Sequence, residues 1–251
     1  MQRSGSQKQQ NYMFGNGTVT RGLTMKTIDL AVQSVTDLNR ELHAQADKLN
    51  EKDWFVENPK GQHNIAVGLD EEISVDIKGP TGYYAAGMNK KATVTIHGNA
   101  GQGVAENMMS GKVHVTGNAS QCAGATAHGG LLVIDGDAGA RCGISMKGID
   151  IVVKGSIGHM SCFMGQAGNL VVCGDAGETL GDSLYEVHIY VKGSVDSLGA
   201  DCIEKEMRQE HIDELQGLLD AAGVDDEPSL FKRYGSARQL YNFQVDNASA
   251  Y

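Results

Sequence analysis

VTIHGNA (94–100), VHVTGNA (113–119), LVIDGDA (132–138) and LVVCGDA (170–176) are copies of one pattern, and their spacing decides the fold. Each copy carries a glycine. Seven such glycines, Gly79, Gly98, Gly117, Gly136, Gly155, Gly174 and Gly193, follow one another at steps of 19 residues without slippage. A fixed period near 20 residues marks stacked structural units. Four residues before the glycines stand Val75, Val94, Val113, Leu132, Ile151, Leu170 and Ile189; two before them stand Ile77, Ile96, Val115, Ile134, Val153, Val172 and Val191. All are aliphatic and mostly polar residues separate them, the period-two alternation of a half-buried strand. A turn former follows every glycine: Pro80, Asn99, Asn118, Asp137, Ser156, Asp175 or Ser194. A glycine free to take positive φ suits such a turn. Seven residues after each glycine the chain is always small: Ala86, Ala105, Gly124, Gly143, Cys162, Gly181 or Ala200.

A unit this short and this rich in glycine is no helical hairpin. It fits one coil of an all-β parallel solenoid, the aliphatic columns stacking as interior ladders. With parallel strands about 4.8 Å apart, seven coils make a rod roughly 30 Å long. No proline lies between 81 and 227, as an unbroken hydrogen-bond ladder requires. Hexapeptide solenoids need a six-residue aliphatic step, which is missing here.

Four segments follow. Residues 1–24 are a polar, Gly/Ser/Gln-rich extension, expected to lack fixed structure. Residues 25–62 are an N-terminal strand–helix segment: a strand from Met25, a helix over about 37–49 capped by Thr36 with Leu38, Leu42 and Leu49 on one face, and a loop at 53–60. Residues 63–202 are the β-helix, entered through expected strands at 63–69 and 71–79. Residues 203–251 are a helix over 203–223, ending at Gly223 and expected to cap the rod, and a tail whose FKRYGSARQLYNF (231–243) packs on the rod or on a partner.

The net charge of −10 and the lack of a Lys/Arg cluster exclude nucleic acid as the expected partner. No apolar run is long enough to span a bilayer, and MQRSGSQKQQ has no apolar core of a signal peptide. Five cysteines, an odd number without framework spacing, point to a reducing cytoplasm.

Candidate chemistry is sparse. Cys122, Cys142 and Cys162 drift against the repeat and form no metal-ligand spacing, so they are expected in the core. Cys173, in an outward column, is expected at the surface. His159 and Cys162 are near in sequence but in different columns, a poor nucleophile–base pair. Neither catalytic, cofactor-binding nor metal-binding residues are therefore assigned. One outward column is anomalous: it turns apolar at Val133, Val152 and Val171 and ends at Tyr190, with Leu131 beside it. An apolar outward stripe implies cover. Leu131, Val133, Val152, Val171 and Tyr190 form a candidate interface, covered either by a partner or by the chain's own termini.

The motifs GKVHVTGNAS (111–120), GGLLVIDGDAGARCG (129–143) and IVVKGSIGHMSCFMGQAGNLVVCGDAG (151–177) resemble the GXGXG domain, the β-helical module of the large subunit of glutamate synthase. MKTIDLAV (25–32) and ARQLYNF (237–243) further resemble stand-alone members such as the β-helix subunit of N-methylglutamate synthase (methylamine–glutamate N-methyltransferase). The resemblance implies a right-handed β-helix and a non-catalytic subunit. It also implies two partners: an amidotransferase-like subunit, and a synthase subunit carrying FMN and iron–sulfur clusters, with no cofactor on this chain. Archaeal-type glutamate synthase and formylmethanofuran dehydrogenase contain similar modules. A free-standing polysaccharide-acting β-helix enzyme is a remote alternative, since Asp76, Asp135 and Asp150 fall on separate coils.

Overall fold

Every expected repeat strand forms, and equivalent residues stack. The structure, a computed structural model, describes residues 25–43 and 52–239. The polar extension, Leu49 and the end of the tail from 240 lie outside the described residues. The elements are β1 (Met25–Asp29), α1 (Val35–Leu42), β2 (Asp53–Glu57), β3 (Ser74–Ile77), β4 (Thr93–Ile96), β5 (Lys112–Val115), β6 (Leu131–Ile134), β7 (Lys147–Val153), β8 (Ala167–Val172), β9 (His188–Val191), β10 (Cys202–Lys205), α2 (Gln209–Ala222) and β11 (Lys232–Ser236). The strands form one eleven-stranded sheet in the order β1 to β9, then β11, then β10. All pairings up to β9 are parallel; β11 is antiparallel to β9, and β10 to β11. This is a parallel β-solenoid with a short antiparallel extension.

The register is the repeat itself: Val75, Val94, Val113, Leu132, Ile151, Leu170 and Ile189 face one another across successive strands and are fully buried. A second side of each coil is joined by single bridges from Thr81 through Ala100, Ala119, Ala138, Ile157 and Ala176 to Val195. The small column forms a third corner. Ala86, Ala105, Gly124, Gly143, Cys162 and Gly181 all take left-handed backbone, with φ between 53° and 69°. That costs a non-glycine residue about 1–2 kcal/mol. Inter-coil bonds such as Ala105 N–H to the Ala85 carbonyl (2.9 Å) offset it. At the last coil the phase slips by one: Asp201, not Ala200, is left-handed (φ 64°).

The repeat glycines serve close approach more than positive φ. Only Gly79 and Gly98 have φ in the left-handed half. A Cβ on Gly155 would lie 2.7 Å from the Gly136 carbonyl oxygen, and one on Gly174 2.7 Å from that of Gly155. The turn formers after them make a polar ladder. Asn99 Oδ1 accepts the Asn118 N–H (2.9 Å), Asn118 Oδ1 that of Asp137 (2.9 Å), Asp137 Oδ1 that of Ser156 (2.8 Å) and Ser156 Oγ that of Asp175 (3.0 Å).

Four expectations are corrected. Residues 53–57 are a strand, not a loop, because Trp54 and Val56 alternate inward and extend the sheet. Residues 63–69 are not a strand: Asn64, Ala66 and Gly68 all have positive φ and form the left-handed corner of a first coil. Helix α1 is capped by Ser34, whose Oγ accepts the Asp37 N–H, and it ends at Leu42. Residues 203–205 are in strand β10, so the helix starts at Gln209; Gly223 does end it, in left-handed conformation (φ 66°). The helix lies on the side of the rod, and the β9 edge is paired by β11 instead.

Candidate functional site

The outward face of the parallel sheet is where side chains depart from the repeat. Its N-terminal half is polar. His97 Nε2 lies 2.6 Å from Asp76 Oδ1 and 3.1 Å from Lys78 Nζ, and the Lys78 ammonium stands 4.8 Å from the Phe55 ring centre. Farther along, Asp135 lies between His114 Nε2 (2.9 Å) and Lys154 Nζ (2.9 Å). Burial pushes the Asp135 carboxyl up, but the bonds from Lys154 and His114 outweigh it and hold it below the ordinary carboxylate value. Each group is a closed ion cluster on a half-exposed strand face, with no serine or thiol among the contacts these histidines make.

The C-terminal half is apolar and covered. Val133, Val152, Val171 and Tyr190 are at most 1% exposed. They pack with Leu215, Leu219 and Ala222 of α2 and with Phe231, and Leu131 lies against the same cluster half-buried. Of the two covers expected for this candidate interface, a partner or the chain's own termini, the structure shows the chain's own helix α2 and Phe231. Helix α2 is amphipathic because Leu215, Leu219 and Ala222 recur at three- and four-residue steps. Lys112 Nζ donates to the Ala221 carbonyl (3.1 Å), a cation at the helix C-terminus.

A polar network pins α2 beside these valines. The Tyr190 hydroxyl donates to Glu214 Oε2 (2.6 Å), and His188 Nδ1 is 2.9 Å from the same oxygen. Asn169 Nδ2 donates to Asp150 Oδ1 (2.9 Å), and the His188 ring meets the His211 ring edge-on with centres 5.4 Å apart. Burial raises the Asp150 pKa, and the Glu214 charge adds to that. Burial acts on Glu214 too, but hydrogen bonds from Tyr190 and His188 bring its pKa below the ordinary value. Burial lowers the pKa of His211, with Arg233 and His188 contributing.

The comparison with known proteins bears on this arrangement as a whole. Protein GlxC of Rhizobium meliloti (strain 1021) is 62% identical over 228 residues, which cover 90% of this chain and the whole of that protein. The chain belongs to the GlxC family. No protein-family model and no solved structure matches it.

In this GlxC-family chain the other sequence candidates are kept apart. His159 is exposed while Cys162 is fully buried, its Sγ 3.5 Å from Met146 Sδ, so the two do not form a pair. Cys142 is also buried, and burial pushes its pKa up to about 12. Cys173, expected at the surface, is buried beside Phe231 under the α2 layer. No group of three or more His, Cys, Asp and Glu side chains among the described residues is arranged to hold a metal ion, and no described helix is long and apolar enough to cross a membrane. The Glu214 network of the GlxC-family chain escaped the sequence reading. Its signal was the column five residues before the glycines, where Asp150, Asn169 and His188 stand on successive strands.

Proposed function

We propose that this chain is a non-catalytic scaffold subunit of a glutamate-synthase-like complex, N-methylglutamate synthase, which converts glutamate and methylamine to N-methylglutamate and ammonia. It holds an amidotransferase-like subunit and an FMN- and iron–sulfur-containing synthase subunit at a set separation. The observation that carries this reading is the constant 19-residue register of the repeat strands from β3 to β9, interrupted only by a bulge between Lys147 and Asp150 at the start of β7. Backbone ladders on two sides and the Asn/Asp/Ser ladder at the turns tie each coil to the next, which makes a stiff spacer. The resemblance of about residues 63–202 to the GXGXG module supports the choice of complex.

The cofactors belong to the partner in this reading. Cluster iron is held by thiolates. Here Cys142, Cys162 and Cys202 are buried in the rod's core and Cys173 in the separate layer under α2, and no three or more His, Cys, Asp and Glu side chains among the described residues converge, so this donor set does not fit a cluster. Affinity purification of the tagged chain from its native cells tests the proposal. The expected eluate contains flavin, iron and both partner chains in fixed ratio; recovery of the chain alone overturns it.

A further inference from the structure

Where β9 meets β10 and β11, a cleft of about 80 Å³ is lined by Lys205, Arg233 and Arg238, with Glu186, His188 and Ser236. Arg233 is only 8% exposed, yet its Nε and Nη2 both donate to a backbone carbonyl, that of Glu206, at 3.1 and 3.0 Å. Lys205 Nζ likewise donates to the Ser236 carbonyl (3.0 Å). Among the described residues neither cation is paired with a carboxylate, because the nearby acids are engaged elsewhere. Arg238 holds Glu186 (2.6 Å), Lys232 holds Glu204 (3.1 Å), and Tyr190 and His188 hold Glu214. Glu210 lies 3.9 Å from Arg208. A buried charge is ordinarily matched by an opposite one, and a carbonyl supplies only a dipole. The guanidinium has five N–H donors and the Glu206 carbonyl takes two. A cation-lined cleft also runs against a chain whose net charge is −10.

We propose that this cleft binds a small oxyanion, a phosphate or the carboxylate end of a small acid, with Arg233 and Lys205 as its charge partners. The volume admits one such group and excludes a bulky ligand. The site does not depend on the scaffold reading.

The test is calorimetric titration and thermal unfolding of the full chain with inorganic phosphate in one arm and malonate in the other. Sodium chloride at equal ionic strength is the control. The expected result is saturable binding and a raised Tm in at least one arm. That arm identifies the source as inorganic or carboxylic. Lys205→Met, which keeps the aliphatic stem, is expected to weaken the binding by about tenfold, the loss of one charge-assisted hydrogen bond. Lys205→Arg is expected to restore most of it, which separates lost charge from lost fold. The proposal is overturned if neither ion acts beyond chloride, or if Lys205→Met, folded by circular dichroism, binds as tightly as the wild type.

Discussion

Gly155 and Gly217 are the same residue type under opposite constraints. A Cβ on Gly155 would meet the backbone of the preceding coil, 2.7 Å from the Gly136 oxygen, and neither backbone can give without breaking the ladder. Gly217 lies within α2 with nothing within 4 Å of the same virtual atom. Gly155→Ala is expected to destabilise by about 1–3 kcal/mol through overpacking. Gly217→Ala is expected to stabilise by about 0.5–1 kcal/mol, since alanine is the better helix former. Urea midpoints of the two variants read both signs. The spacing of the glycines was legible in the sequence, but their reason was not. Positive φ and close approach demand the same residue, and only the neighbouring coil's position tells them apart.

Helix α2 stands on two supports of different kind, the valine stripe and the Glu214 network. Glu214 has a folded pKa below its ordinary value. Its contribution is present above the unfolded pKa and is lost as pH falls through the folded one. Asp150 has a raised pKa, so its charge costs stability above the folded pKa and the cost disappears on protonation. Asp150→Asn is therefore expected to raise Tm near neutral pH, the gain shrinking as pH falls through the carboxylate range. Glu214→Gln is expected to lower stability near neutral pH by about 1.5–3 kcal/mol, because the Tyr190 and His188 bonds lose their charged acceptor. Thermal unfolding of both variants across a pH series checks the two signs.

That the stripe needed cover could be read from Val133, Val152 and Val171 alone, since three aliphatic residues in an outward column cannot face water together. What covers them could not be read, because a helix three to five elements further along the chain and a partner leave the same stripe. Cys173 was misplaced for the same reason, and the misread strands and helix ends lie outside the period. Ile203 fits a helical face by spacing, yet it lies in β10, pairs with Gly235 of β11 and is 43% exposed. Trp54 and Val56 precede the first repeat glycine and so had no phase to declare them a strand.

At the scale of the whole molecule, the proposed task is to fix a distance. Each coil adds about 4.8 Å. Deleting Gly79–His97, one complete 19-residue period, joins Lys78 to Gly98 and leaves the glycine phase, the valine stripe and α2 with its Lys112 contact intact. In a complex rebuilt with this shortened chain, the account predicts that both partners still bind and each keeps its isolated activity. The decisive measurement is coupled turnover of glutamate and methylamine to N-methylglutamate. It is predicted to fall by at least about tenfold, because misplacement of reacting groups is costly. Wild-type turnover from a complex built on the folded, shortened chain would contradict the account.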